Sequence, residues 1–135
     1  MLTSTKTGSG KAKAELGESM MENAARSEEW VPIGMSHRWN DGGVDRFFCF
    51  KRQGKCTDFM VGEAKFSKHA TRKPRMTRKQ LSDDWIEDSI KKDITDAKLK
   101  RAFLESLDKG NLEKRLYHSY IKDGTASVRA IGIKK

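Results

Sequence analysis

Long apolar runs are missing from this chain of 135 residues. Nothing approaches the roughly 20 consecutive apolar residues of a membrane span, so no membrane-spanning segment is expected. The first ten residues, Met-Leu-Thr-Ser-Thr-Lys-Thr-Gly-Ser-Gly, are polar and do not read as a signal peptide. Cysteine is scarce, with Cys49 and Cys56 alone, and histidine is scattered at 37, 69 and 118. No spacing among them resembles a zinc site. Cys49 falls in an apolar, Phe-rich stretch, where a buried thiol is expected; a disulfide to Cys56 is allowed but not required. Negative charge is also short. Nineteen Asp and Glu face 28 Lys and Arg, giving a formal charge of +9 and a pI near 9.7. Such an excess favours an anionic partner, nucleic acid first.

Within those limits the chain is long enough for one domain with a modest core. Residues 1–10 read as a flexible lead or a fragment boundary, and 11–135 as a single domain. A helix is expected over 11–29, with Leu16, Met20, Met21, Ala24 and Ala25 at helical spacing. Val31-Pro32-Ile33-Gly34 ends it. Strands are expected over 43–51 and 56–67, joined by a turn at Gln53-Gly54-Lys55. Residues 67–79 carry Lys68, Arg72, Lys73, Arg75, Arg78 and Lys79 with no acid, and Pro74 marks the stretch as a loop. Two helical pieces follow over 80–108. Their stripes are Leu81, Trp85, Ile86, Ile90, Ile94 and then Leu99, Ala102, Phe103, Leu107, with Gly110 as the stop. Residues 112–121 and 125–134 are β-prone around Asp123-Gly124, a hairpin signal. The order predicts a mixed α/β domain, with a central mixed sheet and flanking helices.

The chemistry concentrates at Gly62-Glu63-Ala64-Lys65. In a strand, side chains at i and i+2 share a face, so Glu63 and Lys65 project together. Asp45 is the one acid of the preceding strand. Two carboxylates can hold a divalent cation, for which hard oxygen ligands suit Mg²⁺. A lysine beside them can orient a water or stabilise charge on a phosphate. The alternative is a solvent-facing ion pair between Glu63 and Lys65. Geometry sets a condition on the first reading. Asp45 opposes Glu63 only if the numbers of paired residues sum to 108. A plain two-residue turn at Gln53-Gly54 puts the acids on opposite faces. Sharing a face therefore requires a three-residue loop or a β-bulge.

Gly43-Val44-Asp45-Arg46, Gly62-Glu63-Ala64-Lys65-Phe66 and Gln80-Leu81-Ser82-Asp83-Asp84-Trp85-Ile86, in that order, resemble the PD-(D/E)xK nuclease superfamily. More narrowly, they resemble its C-terminal nuclease toxin domains from contact-dependent growth inhibition and polymorphic toxin systems. Leu16-Gly17-Glu18-Ser19-Met20 is similar to the family's N-terminal helix, and the resemblance spans roughly residues 14–90. It implies a restriction-endonuclease-like fold and a metal-dependent nuclease toxin acting on DNA ahead of tRNA. Mg²⁺ is the first cofactor implied, with Mn²⁺ and Zn²⁺ as alternatives. By position Asp45, Glu63 and Glu18 ligate the metal, Lys65 acts on the water or the transition state, and Gln80 lines the site. Glu22, one turn after Glu18 on the same helix face, rivals it for that role. A cognate immunity protein is implied as partner, and delivery into a target bacterial cytoplasm as part of a larger secreted protein. Two departures stand out: no proline precedes Asp45, and loop 68–79 is unusually cationic. The alternatives are a repair or restriction nuclease of the same fold, or a basic nucleic-acid-binding module without catalysis. An HNH-type nuclease is disfavoured, because no paired histidines occur at useful spacing.

The remaining features carry less. Loop 68–79 can track a phosphate backbone or stand as a solvated cationic loop. Trp30 and Trp39 read as packing before base stacking, and Trp85 as core. His37, His69 and His118 read as structural or exposed. The Asp123-Gly124 hairpin reads as an ordinary terminal hairpin, with an edge that a partner strand can pair with.

Overall fold

A computed structural model describes residues 9–33, 45–67 and 81–132. Among these residues three helices and five strands follow in the order α1 (Ser9–Ser27), β1 (Trp30–Pro32), β2 (Arg46–Arg52), β3 (Lys55–Ser67), α2 (Asp83–Asp93), α3 (Ala97–Lys109), β4 (Glu113–Lys122) and β5 (Thr125–Gly132). The strands form one sheet in chain order. All neighbours are antiparallel except β3 and β4, which run parallel. Antiparallel neighbours need only a hairpin, whereas a parallel pair needs a crossover, here containing α2 and α3. This is the mixed α/β architecture that the order of elements predicts.

Alternation along the strands splits the core in two. Phe47, Cys49 and Val61 face α2 and α3, where they meet Ile86, Ile90, Ile94, Phe103 and Leu107. Phe103 sets its ring edge-on to both Phe47 and Phe59, with centroids 5.3 and 4.7 Å away. On the other face Phe48, Met60 and Tyr117 pack against Met21 and Ala25 of α1. Gly62 allows α1 this close. A Cβ there would meet Met21 Sδ at 2.9 Å and Phe48 Cε2 at 3.2 Å.

Local signals explain the element ends. Ser82 caps α2 by accepting from Trp85 N, and Asp96 caps α3 by accepting from Leu99 N. Gly110 closes α3 in the left-handed conformation at φ 77°. Both hairpin turns pair a positive-φ residue with a glycine, Gln53-Gly54 and Asp123-Gly124, as tight hairpin turns require.

Two expectations need correction. Val31 and Pro32 do more than end the first helix. Together with Trp30 they form β1, paired Trp30 to Phe50 and Pro32 to Phe48. Proline is tolerated because β1 is an edge strand. The second correction concerns Cys49, which is fully buried but not a free thiol; it is disulfide-bonded to Cys56 with Cα atoms 5.5 Å apart.

Candidate active site

The β2–β3 hairpin has a two-residue turn, yet it satisfies the register that Asp45 and Glu63 need. Near the turn Arg52 pairs with Lys55 and Lys51 with Cys56. Beyond a bulge, Phe50 pairs with Asp58, Phe48 with Met60 and Arg46 with Gly62. Thr57 is the extra residue, and its hydroxyl donates to the Phe50 carbonyl at 3.3 Å. The bulge shifts the sum of paired numbers by one, so Asp45, next to Arg46, comes opposite Glu63.

Side-chain geometry agrees with this placement. Asp45 Oδ2 accepts the backbone N–H of Ala64 at 2.8 Å, which anchors the carboxylate across the hairpin. Glu63 is 4% exposed, on the sheet face opposite α1. Burial pushes its carboxyl up to about 9. The neighbouring charge of Asp45 and a hydrogen bond to the Asp45 side chain add to that rise, and Lys65 opposes it. At neutral pH Glu63 is therefore a carboxylic acid that shares a hydrogen bond with Asp45. Lys65 follows two residues on, on the same face and half-buried.

Other expected site residues stand differently. Glu18 lies half-buried on α1. A Cβ added at its neighbour Gly17 would lie 3.8 Å from the Cβ atoms of Ala64 and Phe66, on the face of β3 away from Glu63. Glu22 is committed to Arg46, with Oε1 at 3.1 Å from Nη2. Among the described residues, no group of three or more His, Cys, Asp or Glu is arranged to hold a metal ion. The structure thus joins Asp45, Glu63 and Lys65, without adding Glu18 to them as a third carboxylate. Gln80, His37, Trp39, His69 and the basic loop 68–79 lie outside the described residues. Trp30 is core: its ring meets Phe50 edge-on at 5.7 Å, and the Arg115 guanidinium lies over it at 5.6 Å.

One neighbouring group escaped the sequence. His118 is fully buried on β4, directly beside Lys65 in the parallel register. Its Nε2 is 2.7 Å from Ser67 Oγ, and Arg129 Nε donates to its Nδ1 at 3.1 Å. Burial first, and then the Arg129 charge, holds the ring below its ordinary value. A lone histidine in a strand gives no sign of this; the signal lies only in the β3–β4–β5 register.

No protein-family model, curated protein or solved structure matches this chain. The geometry therefore has to carry the functional reading alone. Two carboxyls that share one hydrogen are a natural cation site, because a divalent ion can replace the proton and neutralise both groups. Oxygen ligands of this kind suit Mg²⁺, and also accept Mn²⁺ or Zn²⁺.

Proposed function

We propose that this chain is a metal-dependent nuclease of restriction-endonuclease-like type that hydrolyses phosphodiester bonds, with DNA ahead of tRNA as substrate. The observation that carries the reading is the meeting of Asp45 and Glu63 on one sheet face, through a bulge, with Lys65 beside them. The formal charge of +9 supports an anionic substrate.

Asp45 and Glu63 would hold the divalent cation, which when bound supplies water activation and charge neutralisation on the phosphate. Glu63 would give up its proton to serve as a ligand. Ala64 N–H holds Asp45 in place throughout. Lys65 orients the attacking water or stabilises the charge that develops on the phosphate oxygens. Gln80 is proposed as a supporting residue that lines the site.

The same reading makes the chain a toxin domain carried by a larger protein into a target bacterial cytoplasm. It would there be neutralised by a cognate immunity protein. The opposing reading, a basic nucleic-acid-binding module without catalysis, rests on the charge alone and leaves the buried acid pair without a role. Plasmid DNA and tRNA incubated with the protein in Mg²⁺, Mn²⁺, Zn²⁺ or chelator separate the two. Metal-dependent cleavage supports the nuclease, and salt-sensitive binding with no cleavage under any metal supports the module. Growth arrest on expression, relieved by a neighbouring reading frame, distinguishes a toxin from a repair or restriction enzyme.

A further inference from the structure

The row of side chains that starts at Lys65 continues along β4. Lys65 is in register with His118, and same-face positions recur every second residue, so His118, Tyr120 and Lys122 share the sheet face of Glu63 and Lys65. Tyr120 is the diagonal neighbour of Lys65 on the next strand. Strand spacing and rise put their Cα atoms about 8 Å apart, and Lys122 lies ~6.6 Å farther along β4. One sugar–phosphate repeat of a nucleic-acid strand can cover a step of that size.

The Tyr120 ring is fixed in place. The Arg129 guanidinium lies 5.4 Å over it, and the His118 ring is tilted against it with centroids 5.4 Å apart. Its hydroxyl is left over from this packing. Among the described residues it has no hydrogen-bond partner, and it is not one of the polar atoms sealed unpartnered in the core. Lys122 is exposed, and its ammonium has no ion-pair partner among the described residues. Charge along the path has one sign. Beyond Glu63, no acid occurs on β3 or anywhere on β5. The one acid of β4, Glu113, is at the other end of the strand, on the face of Tyr117, and is paired with Arg115. Asp123 follows Lys122 in the exposed turn, so the track ends there.

We propose that the backbone of one nucleic-acid strand runs from the Asp45–Glu63 pair along β4, with the Tyr120 hydroxyl donating to the phosphate next to the one at Lys65 and the Lys122 ammonium pairing with the phosphate after that. Tyr120 and Lys122 are then substrate-binding residues, and Arg129 and His118 hold the Tyr120 ring. The inference rests on the nuclease reading for the place of the scissile phosphate but not on turnover.

Binding in chelator tests it without cleavage, using a fluorescein-labelled single-stranded oligonucleotide and measuring affinity against salt. Tyr120→Phe keeps the ring and removes only the hydroxyl. It weakens binding about tenfold, the worth of a hydrogen bond to a charged group, and leaves the slope of log affinity against log salt unchanged. Lys122→Ala weakens binding and makes that slope shallower by about 0.7, the share of one cation on a single strand. Lys109→Ala removes a cation at the end of α3, beside the opposite end of β4, and leaves the slope as in the wild type. Unchanged binding by Tyr120→Phe or by Lys122→Ala overturns the proposal, as does no measurable binding by the wild type. Equal losses in Lys122→Ala and Lys109→Ala also overturn it, since they mark diffuse attraction to the whole charge. If both β4 variants bind normally while Glu63→Gln abolishes metal-dependent cleavage, the nuclease reading survives and this one fails. If both weaken as expected and the wild type cleaves nothing with any metal, the reverse holds.

Discussion

Asp45 and Glu63 face each other across β2 and β3 because Thr57 is an extra residue in the hairpin between them. A two-residue turn alone would have turned them to opposite faces. With the spacing of this sequence and a two-residue turn, the bulge is what puts the two acids on one face, and the shared face is the condition for their joint chemistry.

That condition is testable in the chain itself. Deleting Thr57 removes the bulge while leaving the pairs on either side unchanged, Phe50 with Asp58 and Lys51 with Cys56. Cleavage activity should survive. Inserting one alanine between Val61 and Gly62 instead carries Glu63 to the α1 face, where cleavage should be lost with the fold retained by circular dichroism.

The Glu63 carboxyl makes stability depend on pH. Its folded value of about 9 lies above the ordinary 4.5, so between those values the folded state binds more proton than the unfolded chain. The contribution is fully present below 4.5 and is lost as pH rises through about 9. In chelator, the unfolding free energy should fall from pH 5 toward pH 9 by at most about 1.4 kcal/mol per pH unit, and the melting temperature with it. Glu63→Gln should flatten that fall. Saturating Mg²⁺ should stabilise the wild type more at pH 8 than at pH 6, because binding must displace the proton. Equal stabilisation at both values would contradict the shared-proton account.

The Cys49–Cys56 bond closes a short loop across the bulge. Replacing both cysteines by alanine should lower unfolding free energy by about 2 kcal/mol, as chain entropy predicts for a loop of this length. Denaturant titration with and without reductant measures it, and reductant should not affect the double variant.

Gly62→Ala places a methyl against Met21 and Phe48, both fully buried. The expected cost is about 1–3 kcal/mol of stability. A change smaller than that in thermal unfolding would show that α1 can move off the sheet freely.

Much of this arrangement is legible in sequence. The helical stripe through Met21 and Ala25, the caps at Gly110 and the Asp123-Gly124 turn all arise from local chemistry, and each lies where the pattern puts it. The need for a three-residue loop or a bulge follows from strand parity once Asp45 and Glu63 are to share a face. Its location at Thr57 does not, because nothing local distinguishes that residue from its neighbours. β1 is missed because three residues are too few for a periodic signal, and Pro32 reads first as a helix stop. Lys114 is buried and paired with Asp83 of α2 at 2.7 Å. Its environment, like that of His118, comes from pairing between strands far apart in the chain, which no local pattern reports.

The most direct measurement is cleavage of plasmid DNA and tRNA by the wild type, Asp45→Asn and Glu63→Gln, each in Mg²⁺, Mn²⁺, Zn²⁺ and chelator. Both substitutions preserve shape and remove a carboxylate from the pair. The account predicts metal-dependent cleavage by the wild type and a loss of about a hundredfold or more in each variant, the scale on which removing charge stabilisation from a transition state acts. Undiminished cleavage by either folded variant would contradict it.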